Sequence, residues 1–396
     1  MQSPAPPNQR IYLDNQATTP CDPRVVAAML PWFSEDFANP HSAEHAMGRA
    51  AEAAVEAARV ELALLVGAEP RELVFTSGAT ESNNLAIKGA ARFAARHGNP
   101  RRRIITVATE HKCVLESVAD LADEGFSPVV LPVGADGLLD IARLEAAIDD
   151  DTLLVSVMAV NNEIGVIQPI ATLAALARQH GALFHTDAAQ AAARIGLDVN
   201  LLGVDLMSLS AHKMYGPKGV GALYVRRRPR ARLLPLFSGG GQERGLRAGT
   251  LPAPLLVGFG VAARIAAAEL AEDALRIGAL RDALHRALAA EIPGLRLNGS
   301  AVARIPGNLN LSFPGVEAQA LMAAIPELCV STGSACSSAE VAPSYVLRAL
   351  GLSAAEAAGT LRLGLGRFTS RADTDFAARA LAAAWSQLAR ARSSRA

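Results

Sequence analysis

The stretch Leu183-Phe184-His185-Thr186-Asp187-Ala188-Ala189-Gln190 decides the fold. An apolar run that ends on an acidic residue is typical of a buried strand whose carboxyl end faces a ligand in an open α/β sheet. The runs at residues 153–160 and 205–209 are apolar as well, and helical sequence lies between most of these runs. This alternation predicts a largely parallel sheet buried under helices.

The same alternation extends outward in both directions. Candidate strands lie at residues 73–76, 103–108, 128–133, 153–160, 183–186, 205–209 and 221–225. From about Leu255 a long alanine-rich helix continues to about Ala290, and short strands and helices follow it. Strands are expected there near 296–297, 309–313 and 327–330, with helices near 317–324 and after Pro343 and Ala372. The sequence therefore predicts a large α/β domain followed by a smaller α+β domain.

The composition narrows the class of protein. The chain has 396 residues, 51% of them hydrophobic, and 38 basic residues balance 38 acidic ones. Zero net charge argues against nucleic acid or an anionic membrane as the main partner. The four cysteines form no CxxC pair, which argues against zinc and against a disulfide framework. No secretory leader and no membrane-spanning run is recognised, so a soluble cytoplasmic protein with reduced thiols is expected.

Two polar stretches follow predicted strands and are candidates for binding a charged ligand. Thr76-Ser77-Gly78-Ala79-Thr80-Glu81-Ser82 precedes a helix expected to begin near Glu81, and N–H groups at a helix N-terminus bind phosphate. The same residue types also form ordinary helix caps. If a helix begins after Asp187, this carboxylate shares a face with Gln190 and suits a protonated heteroaromatic nitrogen. An N-cap aspartate is the equal alternative.

One lysine and one cysteine stand in unusual loops. Lys213 lies in Ser208-Leu209-Ser210-Ala211-His212-Lys213-Met214-Tyr215-Gly216-Pro217-Lys218-Gly219. A lysine in a turn is commonly a surface residue, but in a cofactor cleft it forms a Schiff base with an aldehyde. Cys336 lies in Ser331-Thr332-Gly333-Ser334-Ala335-Cys336-Ser337-Ser338, where an exposed thiol is a liability unless it is used. Cys113, two residues from His111, is a second candidate for a reactive thiol.

One cofactor accounts for the phosphate-binding stretch, the acid–amide pair and the lysine. Pyridoxal phosphate carries a phosphate, a pyridine nitrogen, a phenolic oxygen and an aldehyde. Enzymes hold it with a Schiff-base lysine and an acidic residue at the pyridine nitrogen. The three stretches together therefore predict an enzyme that depends on pyridoxal phosphate.

Nearly the whole chain resembles the NifS/IscS cysteine desulfurases, which are class V members of the fold-type I pyridoxal-phosphate enzymes. Besides the stretches quoted above, the resemblance rests on Tyr12-Leu13-Asp14-Asn15-Gln16-Ala17-Thr18-Thr19-Pro20, Thr109-Glu110-His111-Lys112, Val160-Asn161-Asn162-Glu163-Ile164-Gly165, Gly240-Gly241-Gln242-Glu243-Arg244-Gly245 and Pro343-Ser344-Tyr345-Val346-Leu347-Arg348-Ala349-Leu350. The short loop around Cys336 is similar to that of the NifS/IscS group and not to the longer loop of the SufS group.

The resemblance implies a role for each matching residue. Lys213 would carry the cofactor, Asp187 would pair with the pyridine nitrogen, and His111 would stack on the ring as an acid–base group. The residues implied to bind the phenolic-oxygen side are Asn162 and Gln190, and those implied at the phosphate are Ala79, Thr80, Ser210, His212 and, from the neighbouring subunit, Thr250. Arg362, with Asn162, would bind the substrate carboxylate. Cys336 would be the nucleophile, and no metal site is implied apart from its transient contact with an iron–sulfur cluster or acceptor.

The resemblance also implies an architecture and a reaction. A large domain over residues 22–262 would hold a mostly parallel seven-stranded sheet. Residues 263–396 would form the small domain with the Cys336 loop, which residues 1–21 join. L-cysteine would be converted to L-alanine in a cytoplasmic homodimer. The sulfur would pass through a persulfide on Cys336 to an acceptor, such as an iron–sulfur scaffold, for cluster or other sulfur-containing biosynthesis.

Two departures and two alternatives accompany this interpretation. Ala211 stands where the family usually has glycine, which is expected to restrict the lysine turn slightly. The chain stops soon after Leu388-Ala389-Arg390, without the long tail by which IscS-type members dock a scaffold, so the acceptor stays open. A selenocysteine lyase or another class V aminotransferase would share Lys213 and Asp187 but need no persulfide. A non-catalytic sulfur-trafficking protein on this fold is disfavoured by the intact Lys213 and Asp187.

Overall fold

The computed structural model describes residues 10–333 and 344–393, so Cys336 lies outside the described residues. The strands are β1 (Ile11–Tyr12), β2 (Leu73–Thr76), β3 (Arg103–Val107), β4 (Ser127–Leu131), β5 (Thr152–Ser156), β6 (Leu183–Asp187), β7 (Leu206–Ser210), β8 (Gly221–Val225), β9 (Arg296–Leu297), β10 (Asn308–Ser312), β11 (Leu328–Cys329) and β12 (Thr360–Gly364). The helices are α1 (Pro23–Met29), α2 (Pro31–Ser34), α3 (Ala46–Val66), α4 (Ala79–Arg96), α5 (Lys112–Asp120), α6 (Ile141–Ala147), α7 (Ile170–Gln179), α8 (Val199–Leu202), α9 (Ala253–Glu291), α10 (Ala318–Ala324), α11 (Tyr345–Ala349), α12 (Ala354–Ala358) and α13 (Arg371–Ser393).

The predicted α/β sheet is confirmed. Seven strands lie in the order β2-β8-β7-β6-β5-β3-β4. Only β8 is antiparallel to its neighbours, and the other pairs are parallel. Every residue of β5, β7 and β8 is buried. Helices cover both faces of a parallel sheet, so its strands are buried on both sides. This is why the sequences of these strands are short apolar runs that do not alternate with polar residues.

The direction of the strands brings three polar ends to one edge. Strand β2 runs in the same direction as β7, because both pair antiparallel with β8. Strands β6 and β7 are parallel neighbours. Their carboxyl ends are Thr76, Asp187 and Ser210, so all three side chains lie at the same edge of the sheet. This is the edge at which open α/β sheets bind ligands.

A second, smaller set of strands packs around its own core. Strands β12, β10 and β9 form an antiparallel sheet. The N-terminal strand β1 pairs in parallel with β11, so Ile11 and Leu328 lie side by side. Leu309, Leu311 and Leu363 belong to a hydrophobic cluster that β1 and β11 share. The α+β character expected for this part of the chain is therefore present.

Helix α9 links the two cores. Leu256 and Phe259 pack in the core beside the large sheet, whereas Leu284 and Leu288 pack in the core beside the small one. By length and composition α9 could cross a membrane, with a mean hydropathy of 1.5 over its most apolar window. The sequence showed no uninterrupted apolar run of that length, because Arg264 divides this helix. Half of that window is buried inside the protein, which is typical of a core helix.

Two local predictions differ from the structure. No helix begins directly after Asp187: residues 189–194 form turns, in which the N–H groups of Ala191 and Ala192 bond to the carbonyl of Ala188. A run of alanines has high helix propensity, but here the tertiary contacts of the site determine the path of the chain. Helix α4 begins at Ala79 and not near Glu81, since Gly78, with φ of 152°, serves as its N-cap.

Candidate active site

A cavity of about 480 Å³ lies at the polar edge of the sheet. It contains most of the residues that the sequence singled out. Those that line it are Ala79, Thr80, His111, Asn162, Asp187, Gln190, Ser210, His212, Lys213 and Arg362. Thr250 does not line it and is exposed in the single chain. The cavity therefore brings together predicted residues from both halves of the chain.

Lys213 lies in a single 3-10 turn that follows strand β7 directly. Its Nζ donates hydrogen bonds to the carbonyl oxygens of Gln16 at 2.6 Å and Ala17 at 2.7 Å. The N-terminal segment thus forms one wall of the cavity. Ala211 is fully buried, and a Cβ built on Gly216 would lie 2.9 Å from the Cβ of Ala211. The extra methyl group at position 211 is accommodated because residue 216 has no side chain.

The carboxylate of Asp187 is fixed on both oxygens. Oδ1 accepts the backbone N–H of Ala189 at 2.9 Å, so the capping role is present even without a helix. Oδ2 accepts a hydrogen bond from Nδ2 of Asn83 at 2.7 Å. The side chain is 5% exposed, which leaves it accessible from the cavity alone. A buried carboxylate held in this way can pair with a cationic ring nitrogen.

One end of the cavity, the candidate for binding an anion, is formed by the first turn of α4 together with Ser210 and His212. Helix α4 has 18 residues, and its first N–H groups have no intrahelical partner because of helix geometry. Nδ1 of His212 lies 3.0 Å from Oγ1 of Thr18. Burial, with Lys213 nearby, lowers the pKa of His212 to about 4. A neutral imidazole and free helix N–H groups suit a phosphate.

Unpartnered atoms in the same cavity provide a test of whether pyridoxal phosphate fits. Within the described residues, Oδ1 of Asn162 and Oε1 of Gln190 are buried and have no hydrogen-bond partner. Nε2 of Gln190 donates to the carbonyl of Gln16 at 2.8 Å. Buried polar atoms are normally satisfied, so these two oxygens indicate a bound group with its own donors. Together with Lys213 and Asp187, the residues present fit the cofactor.

Arg362, in strand β12, brings the small sheet to the cavity. It is 1% exposed, and its guanidinium pairs with Oδ1 of Asp14 at 2.6 Å. A second nitrogen donates to the carbonyl of Asn162 at 2.9 Å, while Nε is buried and has no hydrogen-bond partner in the part of the chain that the structure describes. Its backbone N–H bonds to the carbonyl of Ser331 at 2.7 Å. A guanidinium held at this depth can bind a carboxylate, and the contact with Ser331 lies just before the described chain breaks off.

His111 is the N-cap of helix α5. Its Nδ1 accepts the backbone N–H of Cys113 at 3.2 Å and lies 3.0 Å from the Sγ of the same residue. Cys113 is 9% exposed and lines the cavity. Cys113, the second candidate for a reactive thiol, therefore contacts the imidazole of His111 within the cavity.

The comparisons with known proteins agree with this geometry. Residues 11–376 match the aminotransferase class-V family model. An IscS cysteine desulfurase of Rickettsia bellii is 53% identical over 367 residues, which cover 93% of this chain and 89% of that protein. A solved NifS-like protein has a TM-score of 0.88 at 36% identity and covers 96% of this chain and 100% of its own. A solved structure of SspA in complex with cysteine has a TM-score of 0.79 at 39% identity, with coverages of 91% and 99%.

The chain belongs to the aminotransferase class-V family. Within this family it is a cysteine desulfurase that depends on pyridoxal phosphate, as the sequence resemblance implied. The enzyme converts L-cysteine to L-alanine and transfers the sulfur.

Sequence reasoning missed several residues that hold the class-V site in place. Asn83 bonds to Asp187, and Asp14 pairs with Arg362. Asp14 lies in a quoted stretch and Asn83 directly follows another, but nothing in either stretch indicated the partner of these residues. Glu110 was missed as well: burial, with Asp187 nearby, raises the pKa of this carboxyl well above its usual value. Each of these residues lies within a quoted stretch or directly after one, which was the only available signal.

Proposed function

We propose that this class-V desulfurase performs its chemistry in the 480 Å³ cavity, with Lys213 holding the cofactor. One observation carries the proposal: Lys213, Asp187 and the start of α4 line a single cavity. These features match the aldehyde, the pyridine nitrogen and the phosphate of pyridoxal phosphate. Asn162 and Gln190, whose buried amide oxygens have no hydrogen-bond partner among the described residues, line the same cavity.

Each side chain has a task that follows from its chemistry. When bound, pyridoxal phosphate supplies an electron sink that makes the substrate's α-proton more acidic. Asp187 holds positive charge at the ring nitrogen. Lys213, once its amine is released, is the base positioned to move the α-proton. Arg362 binds the carboxylate of L-cysteine through charge-assisted hydrogen bonds, and this fixes the substrate's orientation.

Cys336 is proposed as the sulfur acceptor on the enzyme. Its thiolate attacks the sulfur of the substrate, a sulfur–sulfur bond forms, and the substrate's carbon–sulfur bond breaks. The bonding electrons stay with the carbon fragment, which takes up a proton and leaves as L-alanine. The product on the enzyme is a persulfide, whose outer sulfur then passes to an acceptor.

The proposal also covers the oligomeric state of the enzyme, its domains, its sulfur acceptor and its location in the cell. Thr250 is exposed in the single chain, which suits a role at the phosphate of a second copy in a homodimer. The large domain would span residues 22–262 and the small one residues 263–396. Residues 1–21 would join the small domain, and helix α9 would run through both. The acceptor would be a protein such as an iron–sulfur scaffold, and the location would be cytoplasmic.

The position of the cofactor link is the first test. Purified enzyme should be yellow, and borohydride reduction should attach the cofactor to the peptide that contains Lys213, as read by mass spectrometry. Lys213→Ala should lose this adduct, because the variant has no amine at that position to bond to the aldehyde. Lys218→Ala is the matched control, since Lys218 lines the same cavity. An adduct that survives in Lys213→Ala and disappears in Lys218→Ala would overturn the assignment.

A further inference from the structure

A buried chain of contacts joins His111 to Asp187 through two residues that have no assigned role. Sγ of Cys113 lies 3.0 Å from Nδ1 of His111 and 3.2 Å from Nδ2 of Asn83. The same Nδ2 lies 2.7 Å from Oδ2 of Asp187. Asn83 is 0% exposed and Cys113 is 9% exposed. His111, Cys113 and Asp187 line the cavity, and the fully buried Asn83 connects them from below its surface.

A carboxylate fixes the direction of the hydrogen bond at one end of this chain, and a backbone N–H indicates it at the other. A carboxylate oxygen accepts, so the Asn83 atom beside Asp187 is the amide nitrogen, and its second N–H is available to the sulfur. Because the sulfur accepts there, its own proton is free to be donated to Nδ1 of His111. This nitrogen also accepts the backbone N–H of Cys113 at 3.2 Å. With two donors directed at Nδ1, a neutral imidazole carries its proton on Nε2.

We propose that Cys113 is a positioning residue, which keeps His111 in the Nε2–H tautomer and connects its ring to the Asp187 carboxylate through Asn83. The inference rests on the proposed placement of His111 beside the cofactor. Cys113 is thus assigned a hydrogen-bonding function and not the role of a second sulfur carrier. Packing alone is a poorer explanation, because an apolar side chain at position 113 would leave an N–H of the buried Asn83 without an acceptor.

Substitutions at position 113 test the proposal in the holoenzyme. Serine keeps a donor and an acceptor, whereas alanine removes both and leaves only the backbone N–H directed at Nδ1. We expect wild type and Cys113→Ser to show the Nε2–H tautomer in 15N NMR of labelled histidine. Cys113→Ala should show a mixture of tautomers, an altered pH profile, and a kcat about tenfold lower at unchanged KM. That loss is part of the roughly 100- to 10,000-fold that a positioned acid–base group contributes.

A second variant and a check of the cofactor link separate the role of Cys113 from loss of stability and from failure of the proposed function. Cys113→Val, closer to cysteine in volume, repeats the test if the alanine variant is unstable, with the same tautomer result expected. Borohydride reduction of each variant shows whether the link at Lys213 is intact. Failure of that link in wild type would overturn the proposed function itself. An intact link, with the wild-type tautomer and pH profile in Cys113→Ala and Cys113→Val, would overturn only the role of Cys113.

Discussion

His185 carries the best-defined electrostatic feature at the residue scale. It is fully buried on strand β6, where Nδ1 lies 2.8 Å from Oγ of Ser156 and Nε2 lies 3.0 Å from Oγ of Ser208. Burial lowers the pKa of His185 to about 3. The neutral ring can donate to one hydroxyl and accept from the other, so it joins three neighbouring strands beneath Asp187.

This depressed pKa predicts a loss of stability in acid. The unfolded chain takes up a proton on this histidine near pH 6.5, whereas the folded protein does so only near pH 3. The stability that the neutral His185 provides is therefore fully present above the pKa of the unfolded chain. It is lost as the pH falls toward the pKa of the folded protein, by up to about 1.4 kcal/mol per pH unit. Urea unfolding from about pH 8 to about pH 5 should show a shallower pH dependence for His185→Gln than for wild type. His41→Gln, at an exposed histidine, should keep the wild-type slope. Equal slopes for all three proteins would refute the effect.

At the scale of secondary-structure elements, a close approach between β8 and the start of α4 sets the anion-binding end of the cavity. Gly221, the first residue of β8, lies against Gly78, and a Cβ built on Gly221 would be 2.6 Å from Cα of Gly78. It would also lie 2.6 Å from the carbonyl oxygen of Leu209, so neither neighbour is a flexible side chain. The missing side chain thus lets the helix N-terminus rest on the sheet edge.

Gly221→Ala is therefore expected to displace the first turn of α4. We predict weaker retention of pyridoxal phosphate on dialysis and a loss of about 1–3 kcal/mol of stability, the usual cost of overpacking. Gly196→Ala is the matched control, because a Cβ there meets nothing within 4 Å. Cofactor absorbance and urea unfolding measure the two effects. Wild-type retention in Gly221→Ala would show that this contact does not set the site.

The elements also show what the sequence could and could not predict. Strands β2 and β8 have the predicted bounds, because turn residues flank their apolar runs. The strand predicted over residues 153–160 ends at Ser156, because residues 157–160 stay buried but leave the sheet on the way to Asn162. The pair Asp14–Arg362 could not be predicted, since its members are 348 residues apart and no periodic pattern links them. Strands and turns could thus be predicted from neighbouring residues, whereas contacts between distant parts of the chain required the structure.

The whole molecule is proposed to act as a homodimer, and Thr250 offers a way to test this. Light scattering should give a mass of two chains. Thr250→Ala should retain pyridoxal phosphate less well on dialysis than Thr172→Ala, in which the replaced threonine is also exposed but lies on α7. The physical reason is the loss of a hydroxyl donor to the phosphate of the neighbouring chain. A monomer that keeps its cofactor and turns over L-cysteine would contradict the dimeric site.

The most direct test of the central claim, that sulfur leaves L-cysteine by way of Cys336, is the rate of alanine release by Cys336→Ser. Wild type and Cys329→Ser should release alanine, and mass spectrometry should find one added sulfur atom on the peptide that contains Cys336. Cys336→Ser should bind the cofactor and L-cysteine yet release almost no alanine, because a hydroxyl, whose pKa is far above the roughly 8.5 of a thiol, is a poor nucleophile toward sulfur. Selenocysteine should be affected less, since selenium leaves more readily. Alanine release by Cys336→Ser at the wild-type rate, with no sulfur on that peptide in wild type, would contradict the account and favour a lyase.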